Sequence, residues 1–339
     1  MQSLSSGCRV PSLLSFQILV FLFFEMPSFA TILAATLPVF LIMGAGFLFH
    51  RRGWLDEELE VGMIKLGLNL LFPCYILSLL PGNQALEKVS TAAWAIGIGF
   101  ILVTAGFGVS SVIGLVARFK RGGGLRTFVL CSGIQNYGFL ALPIAISLFP
   151  GNTGPAGLVF VHGVGVEIAL WTVGLWIMSG NSGFRSIING PFVAVVVALI
   201  LNYTGLYHWI PEILVVTMEM LGRCAVPMAV LMIGSTIGRF ATRGILHDTL
   251  RVGASSVLAR LVLGAMIILC AAKFLPISAD LKRLLIIQAA MPAAIFPIAL
   301  ARLYGGQPQI AIQVVIVTSL VGIVSIPFVI AWGLGWVNP

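Results

Sequence analysis

Residues Gln135–Pro143 read Q-N-Y-G-F-L-A-L-P. They lie within an apolar stretch, Thr127–Phe149, that is long enough to cross a bilayer. Lipid offers no partner to a free N–H or C=O, so such a stretch should be one unbroken helix. An amide pair, a glycine and a proline argue otherwise. Proline removes a backbone donor and clashes with the carbonyl one turn back. The helix is therefore expected to break here, with Gly138 and Pro143 shaping the break. Unwound backbone at membrane depth persists only where protein buries it or where it lines a cavity. In transporters, such breaks hold the substrate.

The rest of the chain supports a membrane setting. Of 339 residues, 59% are hydrophobic and only 9% charged, with a mean hydropathy of +1.08. Soluble domains carry about 25% charged residues. Apolar runs recur at helix-spanning length, which points to helices rather than a barrel. The net charge of +8 comes from lysines and arginines clustered in short loops. That pattern sets orientation in a bilayer and does not indicate nucleic acid. The five cysteines, Cys8, Cys74, Cys131, Cys224 and Cys270, show no disulfide or metal spacing. They read as small packing residues, and no metal or cofactor is expected.

Residues 1–25 carry Arg9, Pro11 and a short apolar run without a small-residue cleavage site. They are read as an N-terminal extension or an over-called start. Ten candidate spans follow: Phe29–Phe49, Gly62–Leu80, Ala92–Val116, Thr127–Phe149, Ala156–Met178, Pro191–Tyr203, Ile213–Ile237, Val252–Phe274, Leu284–Leu303 and Ile310–Trp336. Loops after the odd-numbered segments hold 11 Lys and Arg, and the other side holds 5. The positive-inside rule places the odd loops in the cytoplasm and both termini outside. The location expected is the cell membrane, plasma or bacterial inner.

The two halves of the chain match one another. L-P-I-A-I at Leu142–Ile146 pairs with F-P-I-A-L at Phe296–Leu300 at an offset of 154. Pro73 and Pro227 share that offset, and Pro38 and Pro191 are 153 apart. Each half, 26–180 and 181–339, has five segments, so an odd count turns the second half over in the membrane. The expected fold is an all-α integral membrane protein of ten transmembrane helices in two inverted five-helix repeats. Helices 4 and 9 are broken and face each other near the midplane.

The motifs resemble a known family. N-Y-G-F-L-A-L-P-I (Asn136–Ile144) is similar to the segment-4 motif of bacterial members of the auxin efflux carrier family, and A-M-P-A-A-I-F-P-I-A-L-A-R-L-Y-G-G (Ala290–Gly306) to its segment-9 motif. Asn189–Asn202, Ala225–Ser235 and L-L-F-P-C (Leu70–Cys74) fit its sixth, seventh and second helices. The resemblance runs from about Met26 to Trp336. It implies a bile-acid-symporter-like layout in which helices 4 and 9 cross and a transport part moves against a scaffold part. The short polar linker after Met178 resembles bacterial rather than plant members. The plant segment-4 pattern has two asparagines, whereas this chain has only Asn136, beside Gln135, so auxin is not implied as the substrate.

Broken helix ends expose N–H groups and positive dipole ends, which attract anions. The residues expected around a substrate are Gln135, Asn136, Tyr137, Gly138 and Pro143 in segment 4, and Gln288, Pro292, Ala293 and Pro297 in segment 9. Asn136 and Gln135 supply amides, and Tyr137 and Phe139 an apolar cover. Asn136 also has a purely structural reading, as a cap for the broken backbone. Glu167, in mid-segment 5, is a candidate for proton or ion coupling or a structural carboxyl. His162 reads as a satisfied polar residue. Arg223, with an i,i+4 pairing to Glu219, is a candidate anion contact. Lys65 and Arg260 are read as snorkelling to the cytoplasm.

No serine-hydrolase, zinc-protease or P-loop motif is present. Asp occurs only at Asp56, Asp248 and Asp280, so no Asp pair serves an intramembrane protease. An enzyme is not expected. The leading function is efflux or exchange of a small organic anion such as a carboxylate, by a protein whose partners are that anion and lipid. A homodimer is one arrangement open to it. The alternatives are a sodium-coupled organic-anion symporter and a non-transporting receptor.

Overall fold

The computed structural model describes residues 29–120, 123–179, 188–240 and 249–339. The N-terminal extension, most of the 179–186 linker and the loop carrying Arg243 and Asp248 lie outside the described residues.

Among the described residues the chain is helical, with one isolated antiparallel bridge and no strand. The helices are α1 (Phe29–Arg51), α2 (Glu57–Leu79), α3 (Val89–Val116), α4 (Gly123–Gly133), α5 (Ala141–Leu148), α6 (Gly154–Ser179), α7 (Gly190–Thr204), α8 (Glu212–Arg239), α9 (Leu250–Phe274), α10 (Ala279–Ala290), α11 (Pro297–Leu303) and α12 (Pro308–Val337). Seven of these, α1, α2, α3, α6, α8, α9 and α12, are long and apolar enough to cross a membrane. The stretches expected to break, Thr127–Phe149 and Leu284–Leu303, split into α4 and α5 and into α10 and α11, and α8 is interrupted for a single residue at Cys224, ahead of Pro227.

Prolines alone do not determine where the chain breaks. Pro38 and Pro327 sit inside continuous helices. Pro73 follows a π-helical turn at Gly67–Leu71, which absorbs the lost hydrogen bond without ending α2. Helix α2 also begins earlier than its apolar run suggests. Asp56 caps it, accepting from Leu59 N at 2.8 Å, and Glu57 and Glu58 suit the positive end of the helix dipole.

The helices pack as two groups. Helices α1, α2, α7 and α8 lie against one another; α3, α4, α6, α9, α10 and α12 form the other group. Small residues set the close approach within each group, as expected where lipid supplies no hydrophobic drive between helices. A Cβ on Gly234 of α8 would sit 1.8 Å from Met43 O of α1, and one on Gly165 of α6 would sit 1.9 Å from Ile96 O of α3. Gly165→Ala therefore has to push α6 off α3. Its expected outcome is a clearly lower melting temperature in detergent, whereas Gly108→Ala, whose Cβ meets nothing within 4 Å, melts like the unmodified protein. Equal melting of the two variants would show that α3 and α6 do not pack this closely.

Candidate functional site

The two breaks meet. Between α4 and α5 the chain is unwound from Ile134 to about Tyr137, and between α10 and α11 it is unwound from Met291 to about Ala294. Asn136 N donates to Pro292 O at 2.8 Å, and Ala294 N donates to Ile134 O at 3.1 Å. These bonds form a short antiparallel bridge centred on Gln135 and Ala293. Each break satisfies donors and acceptors that the other has lost. Three side chains complete the crossing. Gln288 Nε2 donates to Tyr137 O at 2.9 Å. Thr318 Oγ1, on α12, accepts from Ala293 N at 3.2 Å. Arg260 donates through Nε to Met291 O at 3.2 Å and through the guanidinium to Gln288 O at 3.3 Å.

A cavity of about 450 Å³ runs from this crossing to the end of the molecule that carries Arg239 and Arg302, between the two helix groups. Met63, Gly67, Phe72, Phe192, Met228 and Met232 wall it on one side. Asn136, Tyr137, Gly138, Phe139, Glu167, Trp171 and Phe296 wall it on the other. The lining is mostly apolar and aromatic, with few polar groups, as small-molecule sites usually are. Phe72 packs on Phe139 with ring centroids 5.5 Å apart, and Trp171 meets Phe296 edge-on at 5.7 Å.

Two polar clusters mark the ends of the cavity. At the crossing, Glu167 Oε1 accepts from the Tyr137 hydroxyl, and Glu167 Oε2 accepts from Trp171 Nε1 at 2.8 Å. Asn136 lines the cavity and its side chain has no hydrogen-bond partner among the described residues. At the far end, Arg239 pairs with Glu57 at 3.0 Å and with Glu60 at 3.1 Å, and Arg302 lies 3.7 Å from Glu57. Ser235 donates to buried Glu60. At the opposite end of the molecule one hydrogen bond joins the two groups and others stay within one of them. Asn83 Nδ2 donates to Thr153 O at 3.0 Å, and Asn152 Nδ2 donates to Asp280 Oδ1 at 2.8 Å. Asp280 also pairs with Arg283 at 2.8 Å.

Of the residues expected around a substrate, Asn136, Tyr137 and Gly138 reach the cavity together, and Glu167, the candidate for coupling, lines it beside them. Gln135 and Gln288 are fully buried behind it and brace the crossing. Pro143, Pro292, Ala293 and Pro297 shape the backbone and are not among the lining residues. Arg223 stands apart, its side chain 73% exposed and paired with Glu219 at 2.5 Å.

Two expectations are corrected. Arg260 does not snorkel; it is 2% exposed and turned into the crossing. His162 is fully buried, with neither ring nitrogen finding a partner among the described residues. Glu60, Arg239, Arg302 and Thr318 were missed. For Glu60 a signal was present: Asp56 followed by E-E-L-E is a helix start, which places Glu60 inside α2 rather than in a loop. Nothing in an apolar run separates Thr318 from any other threonine.

Among the described residues, no three His, Cys, Asp or Glu side chains are grouped to hold a metal ion. A family model described as membrane transport protein matches residues 31–184 and 178–330. Comparison with curated proteins gives no match.

Thr318→Val keeps the size of the side chain but leaves Ala293 N buried without an acceptor, at a cost of about 1–3 kcal/mol. Its melting temperature should fall, with Thr318→Ser, which retains the hydroxyl, falling less. Equal melting of Thr318→Val and the unmodified protein would remove this bond from the support of the crossing.

Proposed function

The chain belongs to the membrane transport protein family, that of the auxin efflux carriers, and from that premise we propose that it is a secondary transporter of a small organic anion, working by alternating access around the crossing. The family is one of transporters and not of enzymes, and the chain is a multi-pass membrane protein. The ten helical segments, taken as two inverted repeats of 26–180 and 181–339, supply the pseudo-symmetry for alternating access. In this reading α1, α2, α7 and α8 are the scaffold. The other helices carry the crossing past it.

The observation that carries the anion reading is the cavity joining Asn136 at the crossing to Arg239 and Arg302 at its far end. Both guanidiniums at that end are paired, Arg239 with Glu57 and Glu60 and Arg302 beside Glu57, and an anion entering the cavity can exchange onto them in place of those carboxylates. At the crossing the Asn136 amide adds a directed donor. The aromatic walls suit an apolar body attached to the charged group. A small carboxylate with an apolar part meets all of these features.

Glu167 supplies a route to coupling. An ionised carboxyl at the crossing opposes an anion in the same cavity, by about 4 kcal/mol at 4 Å and an effective dielectric of 20. Proton uptake by Glu167 then favours anion binding and links the two. In this reading the basic loops face the cytoplasm, so the conformation is open inward and closed outward, where Asn83 after α2 bonds Thr153 at the start of α6.

The test is uptake of labelled mono- and dicarboxylates by proteoliposomes. Asn136→Ala should lower uptake about tenfold, the equivalent of one strong hydrogen bond, while its melting temperature holds. Unchanged uptake would take Asn136 out of the site, and no uptake of any carboxylate by the unmodified protein would end the anion reading. Glu167→Gln should flatten the pH dependence of uptake; a profile like that of the unmodified protein would exclude Glu167 from coupling.

A further inference from the structure

Arg260 is a cation held deep in the protein without a carboxylate beside it. It lies ten residues into α9, about 15 Å from the helix start at 1.5 Å per residue. A charge at such depth is costly, about 2.5–3.5 kcal/mol on insertion scales, and is retained where it has a task. Among the described residues Arg260 makes no ion pair. Its hydrogen bonds go to Met291 O at 3.2 Å and Gln288 O at 3.3 Å.

Those two carbonyls lie at the C-terminal end of α10, where the chain unwinds into the crossing. The last carbonyls of a helix have no partner within it and form the negative end of its dipole. Two uncharged carbonyl oxygens converging at a half-helix C-terminus form the kind of place where transporters hold a coupling cation, since hard cations take oxygen ligands. Here the place is filled by a guanidinium attached to the chain. A π-helical turn over Val257–Gly264 carries Arg260, and the extra residue in such a turn re-aims its side chains. The first half of the chain closes its equivalent end differently. At the 154-residue offset stands Gly106, where a Cβ would come within 2.3 Å of Gly133 O at the end of α4. Backbone fills that end and leaves no room for a cation.

We propose that Arg260 is a built-in cation occupying the seat that a coupling ion would take at the crossing, so that the transport cycle runs without sodium. Arg260 is a positioning residue. It holds Gln288 and Met291, and Gln288 in turn holds the Tyr137 carbonyl at the cavity wall. The inference rests on the transporter reading and sets that cycle apart from a sodium symporter.

The test is thermal unfolding of the purified full chain in detergent, in sodium chloride against choline chloride at equal concentration. It needs no transported substrate, so its failure is distinct from a failure of the carboxylate reading. The unmodified protein should melt at the same temperature in both salts. Arg260→Ala should melt several degrees lower in choline and regain part of the loss in sodium, which can enter the emptied seat. If Arg260→Ala is too unstable to purify, Arg260→Lys keeps a tethered cation and should show no sodium effect. Sodium stabilisation of the unmodified protein or of Arg260→Lys would overturn the proposal. So would an Arg260→Ala that sodium does not rescue, since Arg260 would then be only a structural cap.

Discussion

Two backbone hydrogen bonds, Asn136 N to Pro292 O and Ala294 N to Ile134 O, are the constraint on which the rest depends. An unwound segment in lipid would leave its N–H and C=O groups without partners, each at a cost of several kcal/mol. Two unwound segments that meet in antiparallel register satisfy one another. Neither break is stable alone, so the distant parts of the chain that carry them must fold onto each other. Further backbone groups at the crossing pair with Thr318, Gln288 and Arg260, which come from α12, α10 and α9.

Holding the breaks in this way creates a cavity. The crossing belongs to one helix group, and α1, α2, α7 and α8 form the surface it faces. Small residues bring helices into backbone contact within each group, as Gly234 does for α8 on α1 and Gly165 for α6 on α3. The larger gap lies between the groups, and there the aromatic side chains of Phe72, Phe139, Trp171 and Phe296 line open space. Glu167 ties the wall of that space to the crossing through Tyr137, so a change in its charge is felt where the backbone is unwound.

Much of this was legible along the chain. Apolar length and the proline and glycine pattern gave the segments, and the matched L-P-I-A-I and F-P-I-A-L motifs pointed to the two that unwind. Pro38 and Pro73 show the limit of that signal, because a proline can sit in a helix whose neighbours or a π-helical turn re-satisfy the freed carbonyl. Asn136 was legible as the polar residue in a break. Gln135 and Gln288, equally polar and near the same breaks, turned away from the cavity, since a side chain's direction at an unwound backbone follows no helical period. Arg260 was misread for a related reason. A cation ten residues into a helix can snorkel or turn inward, and only the position of the α10 carbonyls decides which.

The sequence by itself determined that the chain spans a membrane as helices and where two of those helices must be interrupted. These follow from hydropathy and from amide, glycine and proline residues grouped at one place in an apolar run, both of which are local. Tertiary structure alone decided that the facing interruptions hydrogen-bond to each other backbone to backbone, that the cavity lies between α2, α7 and α8 on one side and the crossing on the other, and that a buried guanidinium closes the end of α10. Each of these is an encounter between groups far apart in the chain, governed by which unsatisfied donors and acceptors come within hydrogen-bonding reach when the helices pack.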